Sequence, residues 1–149
     1  MRHKKFLAFF LGVLVAALLQ FRVETVFGAS FDLLLAVLVA ASLFLSFWEV
    51  CSLSLFVALM LNWQPAVSLE IGLIAVLPLV SFWIKKVLPW HAWVANLFLI
   101  FLSLVVFHAA IAPFFSFPNF LAFVGTSIVT LLFGAVAFQI FYSSYETQK

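Results

Sequence analysis

Few side chains in this sequence are equipped for chemistry, and their spacing limits what they can do. Three histidines (His3, His91, His108), one cysteine (Cys51) and one aspartate (Asp32) stand among 149 residues. A metal site needs several ligands on one face, as when two histidines sit four apart on an HExxH helix. His91 and His108 lie 17 residues apart, about 25 Å along a helix at 1.5 Å per residue. A solitary cysteine gives neither an internal disulfide nor a cysteine-based zinc site. There is no Walker loop, no GxSxG elbow and no carboxylate pair at close helical spacing, and one aspartate cannot form an aspartyl protease dyad. The sequence predicts no enzyme, no metal and no cofactor.

The elements that would have to position these groups follow from composition. The chain is 68% hydrophobic and 8% charged, with mean hydropathy +1.33. A soluble domain carries about 25% charged residues, so this chain predicts a lipid-facing exterior. The net charge of +2 comes from Lys and Arg at chain ends and loops. No basic stripe is long enough to follow a nucleic acid backbone, so nucleic-acid binding is excluded. Both faces of every apolar segment are apolar, which favours helices over barrel strands, where lipid-facing and polar positions alternate.

A membrane helix needs about 20 apolar residues, with about 17 as the lower end. Charged and Pro-marked breaks divide the chain into six candidate spans. They run from about Phe6 to Phe21, Asp32 to Trp48, Val50 to Trp63, Ala66 to Ile84, Val87 to Ala112 and Pro118 to Tyr142. The stretch from Asp32 to Trp63 is legible as two short helices or one long one. Loop charge decides, since cytoplasmic loops are enriched in Lys and Arg. Six passes with the N-terminus inside put Arg2, Lys4, Lys5, Lys85, Lys86 and Lys149 in the cytosol and only Arg22 outside. Merging the two segments would leave three inside against four outside. The expectation is an all-α, polytopic membrane protein of six helices in one domain, with both termini cytoplasmic. Trp48, Trp83, Trp90, Trp93, Tyr142 and Tyr145 then fall near the inner boundary, as interfacial aromatics do. The Asn62-Trp63-Gln64-Pro65 turn lies outside, and Glu49 sits at the inner turn between helices two and three. The first segment has the charged start of a signal peptide, but Phe27-Gly28-Ala29 is a poor cleavage site, so it is expected to remain as a span.

Within that frame, Glu70 lies about one turn into the fourth helix and His108 about one turn from the outer end of the fifth. The two helices are antiparallel, so Glu70, His108 and Asn62 share a depth and form a candidate polar pocket. The plainer alternative takes precedence: an acid favoured by the macrodipole in a first helical turn, with an interfacial histidine. Asp32 is expected to cap the second helix. Small residues recur every four positions at Ala8, Gly12 and Ala16 on the first helix and at Ala36 and Ala40 on the second. This spacing lets helix backbones approach closely and marks a candidate packing face, toward an internal neighbour or a partner protein. Ala122, Thr126 and Thr130 form a similar stripe on the sixth helix, with Gly125 and Gly134 beside it.

The layout resembles the bacterial rod shape-determining protein MreD family. Phe31-Asp32-Leu33-Leu34-Leu35 is similar to that family's Pro-Asp-Leu-rich opening of the second helix, without its proline. Leu59-Met60-Leu61-Asn62 and Glu70-Ile71-Gly72-Leu73 lie against its acid-then-glycine pattern, with Asn62 where an acid is usual. The resemblance implies a non-enzymatic scaffold subunit of the cell-elongation machinery in the bacterial inner membrane. Its expected partners are lipids and an MreC-type single-span protein or an elongation synthase. Members of that family are also similar in helix arrangement to the substrate-binding subunits of energy-coupling-factor transporters. The alternative is therefore a vitamin-type small-molecule binding subunit.

Overall fold

A computed structural model of the chain describes residues 2–27, 32–61, 68–111 and 117–146. These form six helices and, among the described residues, no strand: α1 (Arg2–Phe27), α2 (Leu33–Ser42), α3 (Phe47–Leu61), α4 (Leu69–Ile84), α5 (Ala92–Ile111) and α6 (Phe117–Glu146). The all-α class is as expected, and the stretch after Asp32 is two helices. By length and composition, α5 and the segment Phe120–Ser143 of α6 are long and apolar enough to cross a membrane. The apolar parts of the other four run 10–17 residues and fall short of that measure.

The second helix differs most from expectation. It stops at Ser42, six residues before Trp48, so it is only 10 residues long, about 15 Å. The chain stays apolar through Leu43-Phe44-Leu45, so hydropathy carries no mark of this break. The mark is Ser46-Phe47-Trp48-Glu49, a capping-box spacing. The Glu49 carboxylate accepts from the Ser46 backbone N–H at 2.8 Å and from its hydroxyl at 2.7 Å. Glu49 therefore belongs to the first turn of α3 rather than to the connection between the two helices.

All ten residues of α2 are buried, and α2 contacts each of the other five helices. Around it, α1 packs on α6, α6 on α5, α5 on α4 and α4 on α3. Phe10 of α1 meets Phe56 of α3 with ring centroids 4.8 Å apart, closing the ring. The bundle is thus filled along its axis by Leu34, Leu35, Val37, Leu38 and Val39. The outside is the reverse of a soluble surface. Leu121, Ile128, Leu132, Val136 and Ile140 are exposed along α6, and Leu7, Leu11, Val15 and Leu18 along α1. Only 22% of the apolar window of α6 is buried inside the bundle.

Candidate functional site

Two polar stations hold the ends of α2, and both are built from neighbouring helices. A helix leaves its first N–H and last C=O groups without internal partners, and a fully enclosed one has no water for them. At the start of α2, Gln20 of α1 accepts from the Leu34 N–H at 3.1 Å. Asp32 occupies the N-cap position but makes no side-chain capping hydrogen bond, unlike the expectation from sequence. Its Oδ2 lies instead 3.7 Å from Nε2 of His108 on α5. The ring of His108 stands 5.0 Å from that of Phe123 on α6, and its Nδ1 is 3.1 Å from the Leu104 carbonyl oxygen. Four helices therefore meet at this end.

Of Asn62, Glu70 and His108, whose shared depth made them a candidate pocket behind the plainer reading, Glu70 and His108 are among the described residues. Asn62, with the whole Asn62-Trp63-Gln64-Pro65 turn, lies outside the described residues. Glu70 is exposed in the first turn of α4, behind the N-cap Ser68, whose hydroxyl accepts from the Ile71 N–H at 3.4 Å. Among the described residues, no ion pair joins Glu70 to His108, and the carboxylate that meets the histidine is Asp32. Shared depth was legible in the sequence, but the angular position of each side chain around its helix was not.

At the opposite end, Lys85 reaches across from the C-cap of α4 and donates to the Ser42 carbonyl, the last of α2. A cation at a helix C-terminus is favourable. Burial, and secondarily the Lys86 ammonium, lower the Lys85 amine from its ordinary 10.5 to about 8. Both lysines also lie over aromatic rings: Lys85 is 4.2 Å from the Phe82 centroid, and Lys86 is 4.7 Å from Phe82 and 4.5 Å from Trp83. Trp48, Trp83, Trp90 and Trp93 are exposed in the same region of the helix ends. The indole N–H of Trp93 donates to Gln139 of α6 at 3.4 Å.

The small residues turn mostly inward. Ala16, Ala36 and Ala40 are fully buried. A methyl group at Gly12 would stand 3.0 Å from the Phe141 ring of α6, so this position lets α1 and α6 approach. Ala8 is exposed. Ala36 faces Gly134 of α6, where a Cβ would stand 3.5 Å from the Ala36 methyl and collide with Ile100 Cδ1. The candidate packing face thus serves internal neighbours at Gly12, Ala16, Ala36 and Ala40. On the α6 stripe, Ala122 is exposed and Thr130 fully buried.

Asn96 is the polar residue that sequence reasoning passed over. It is fully buried on α5, with Nδ2 3.5 Å from the Gly134 carbonyl and Oδ1 without a protein partner. Its signal was available as the one amide within the apolar run of the fifth span. Ser81 and Ser103 join α4 to α5 through a buried hydroxyl pair at 3.4 Å. Between α5 and α6, an open apolar groove of about 710 Å³ is lined by Trp90, Trp93, Phe98, Phe101, Ile128 and Leu132 among others. No family model, no curated protein and no solved structure matches the chain.

Proposed function

We propose that the chain is an integral membrane bundle crossing the bilayer six times, with the Lys85–Lys86 turn and both termini in the cytosol. It works as a non-enzymatic scaffold subunit of the MreD-like kind, holding another membrane protein in the lipid. The observation that supports this most is the inversion of the bundle: a filled apolar centre around α2 and an equally apolar exterior on α1 and α6. Contiguous exposed apolar surface of this extent marks membrane or partner contact.

The short α2 is compatible with such a setting. At depth, interrupted helices are tolerated where protein side chains satisfy the freed backbone groups. Gln20 and Lys85 do so at its two ends. A small-molecule binding subunit needs a cavity with convergent polar groups, whereas the axis here is packed with leucine, valine and alanine. A scaffold needs only complementary apolar faces.

Affinity capture of the full chain from mild detergent, read by protein and small-molecule mass spectrometry, tests the proposal. A single-span membrane protein with a periplasmic domain is expected to co-purify. Recovery of a bound vitamin-type molecule with no membrane protein partner would replace the scaffold with the transport alternative.

A further inference from the structure

The open groove between α5 and α6 has an extent that limits what can occupy it. Its walls are apolar, with Trp90, Trp93, Leu97 and Phe101 on the α5 side and Ile128 and Leu132 on α6. Between Trp93 and Phe101 it follows α5 for about 12 Å, at 1.5 Å per residue. That is close to half of a hydrocarbon core about 30 Å thick, the depth of a single leaflet. A partner's spanning helix, about 30 Å long and 10–12 Å across, would lie mostly outside a groove of about 710 Å³. Lipid acyl chains match both its length and its walls.

The groove lies toward the end where α4 finishes and α5 begins, and the two ends of the bundle differ in charge. At this end Lys85 and Lys86 follow α4, and α1 begins with Arg2, Lys4 and Lys5. The rings of Phe9 and Phe141, 4.3 Å apart, set the start of α1 beside the end of α6. The acids placed here are Glu49, whose carboxylate holds Ser46, and Glu146 in the last turn of α6. Among the described residues, the far end carries Arg22 and three acids, Glu24, Asp32 and Glu70. Lys86 is exposed and only four positions before Trp90, which holds their Cα atoms within about 14 Å. His91, next to Trp90, is exposed as well. Trp90 and Trp93, 46% and 45% exposed, are of the type that sits at headgroup level.

We propose that this groove binds an anionic phospholipid of the adjoining leaflet, with its acyl chains between α5 and α6 and its phosphate near Lys86 and Trp90. The site rests on the membrane placement proposed above and adds to it a ligand of stated charge. Lysines close to a bilayer surface attract anionic headgroups, while the apolar walls hold the chains. Lys85 contributes less, because its amine is directed to the Ser42 carbonyl of α2.

The full chain, purified in mild detergent, is offered equal amounts of phosphatidylglycerol and phosphatidylcholine with identical acyl chains. Native mass spectrometry reads which lipid is retained, and phosphatidylglycerol is expected to dominate. Lys86→Gln is expected to weaken phosphatidylglycerol binding about fivefold and to leave phosphatidylcholine unchanged. Val94→Trp puts an indole into the groove from an exposed wall position and is expected to lower retention of both lipids. Val76→Trp, on the exposed face of α4, is expected to change neither. A photoreactive benzophenone side chain at position 94 in cells is expected to crosslink lipid. Equal retention of the two lipids by the parent chain overturns the site, and that comparison stands should a variant fail to fold. Equal retention by the two tryptophan variants overturns it too, as does a crosslink to a second copy or another protein in place of lipid. A chain recovered in the soluble fraction without detergent would overturn the membrane placement itself. A chain released only by detergent that shows no lipid preference overturns the lipid site alone.

Discussion

Replacing Phe138 with alanine is expected to lower the melting temperature of the solubilised protein by roughly 5 °C or more. Phe138 is the largest fully buried side chain among the described residues, 1% exposed. Its ring lies 5.2 Å from Phe44, 6.0 Å from Trp93 and 5.9 Å from Tyr142, so it joins the end of α2 and the start of α5 to α6. In water, such a truncation costs about 3–5 kcal/mol. With lipid as the surrounding, the transfer part falls away, because lipid tails are as apolar as the core. The lost contacts and the cavity remain, on the order of 2 kcal/mol. Ile140, two residues on and 59% exposed, is the control: its alanine variant is expected to stay within about 0.5 kcal/mol of the parent. Equal losses at both positions would mean that α6 does not pack as described.

Gly134→Val is expected to be comparably damaging, through overpacking instead of a void. A Cβ there collides with Ile100 Cδ1 and meets the Ala36 methyl at 3.5 Å. Ile100 and Ala36 are both fully buried, which leaves the branched side chain of valine no free space. Extra methyl groups in a closed interface cost about 1–3 kcal/mol, and separating α6 from α5 would also lengthen the Asn96–Gly134 contact. Alanine should cost less, since the end of Ile100 can rotate. Gly125, on the same helix with nothing within 4 Å of its Cβ position, should accept valine without loss. Thermal unfolding of the two valine variants side by side checks this, and matching stabilities would contradict the three-helix junction.

Helix number and the two ends of the bundle were legible because charge and aromatic residues punctuate an otherwise continuous apolar sequence. The end of α2 was not, since Leu43, Phe44 and Leu45 carry hydropathy straight across the break, and only Ser46 and Glu49 mark the restart. Depth within a helical hairpin follows from residue counting, which put His108 and an acid at one end. Which acid turns toward it depends on helix rotation, and rotation is poorly encoded where every face is apolar. Hence Asp32 rather than Glu70 meets the histidine. The Gln20 cap on Leu34 spans two helices and has no local sequence signature. The Ala8–Gly12–Ala16 spacing announced close approach without naming the neighbour, which is α6 at Gly12, through Phe141.

The most direct test of a six-pass chain uses the two ends of α4. Ser68 and Val87 flank this helix and are both exposed, and Cys51 is the chain's own thiol. In a Cys51→Ser background, Ser68→Cys and Val87→Cys are each exposed to a membrane-impermeant maleimide in intact bacterial cells. Six passes with a cytosolic Lys85–Lys86 turn predict that position 68 reacts from outside and that position 87 reacts only after the cells are opened. Labelling of position 87 in intact cells would contradict the proposed topology, with its six passes and cytosolic Lys85–Lys86 turn.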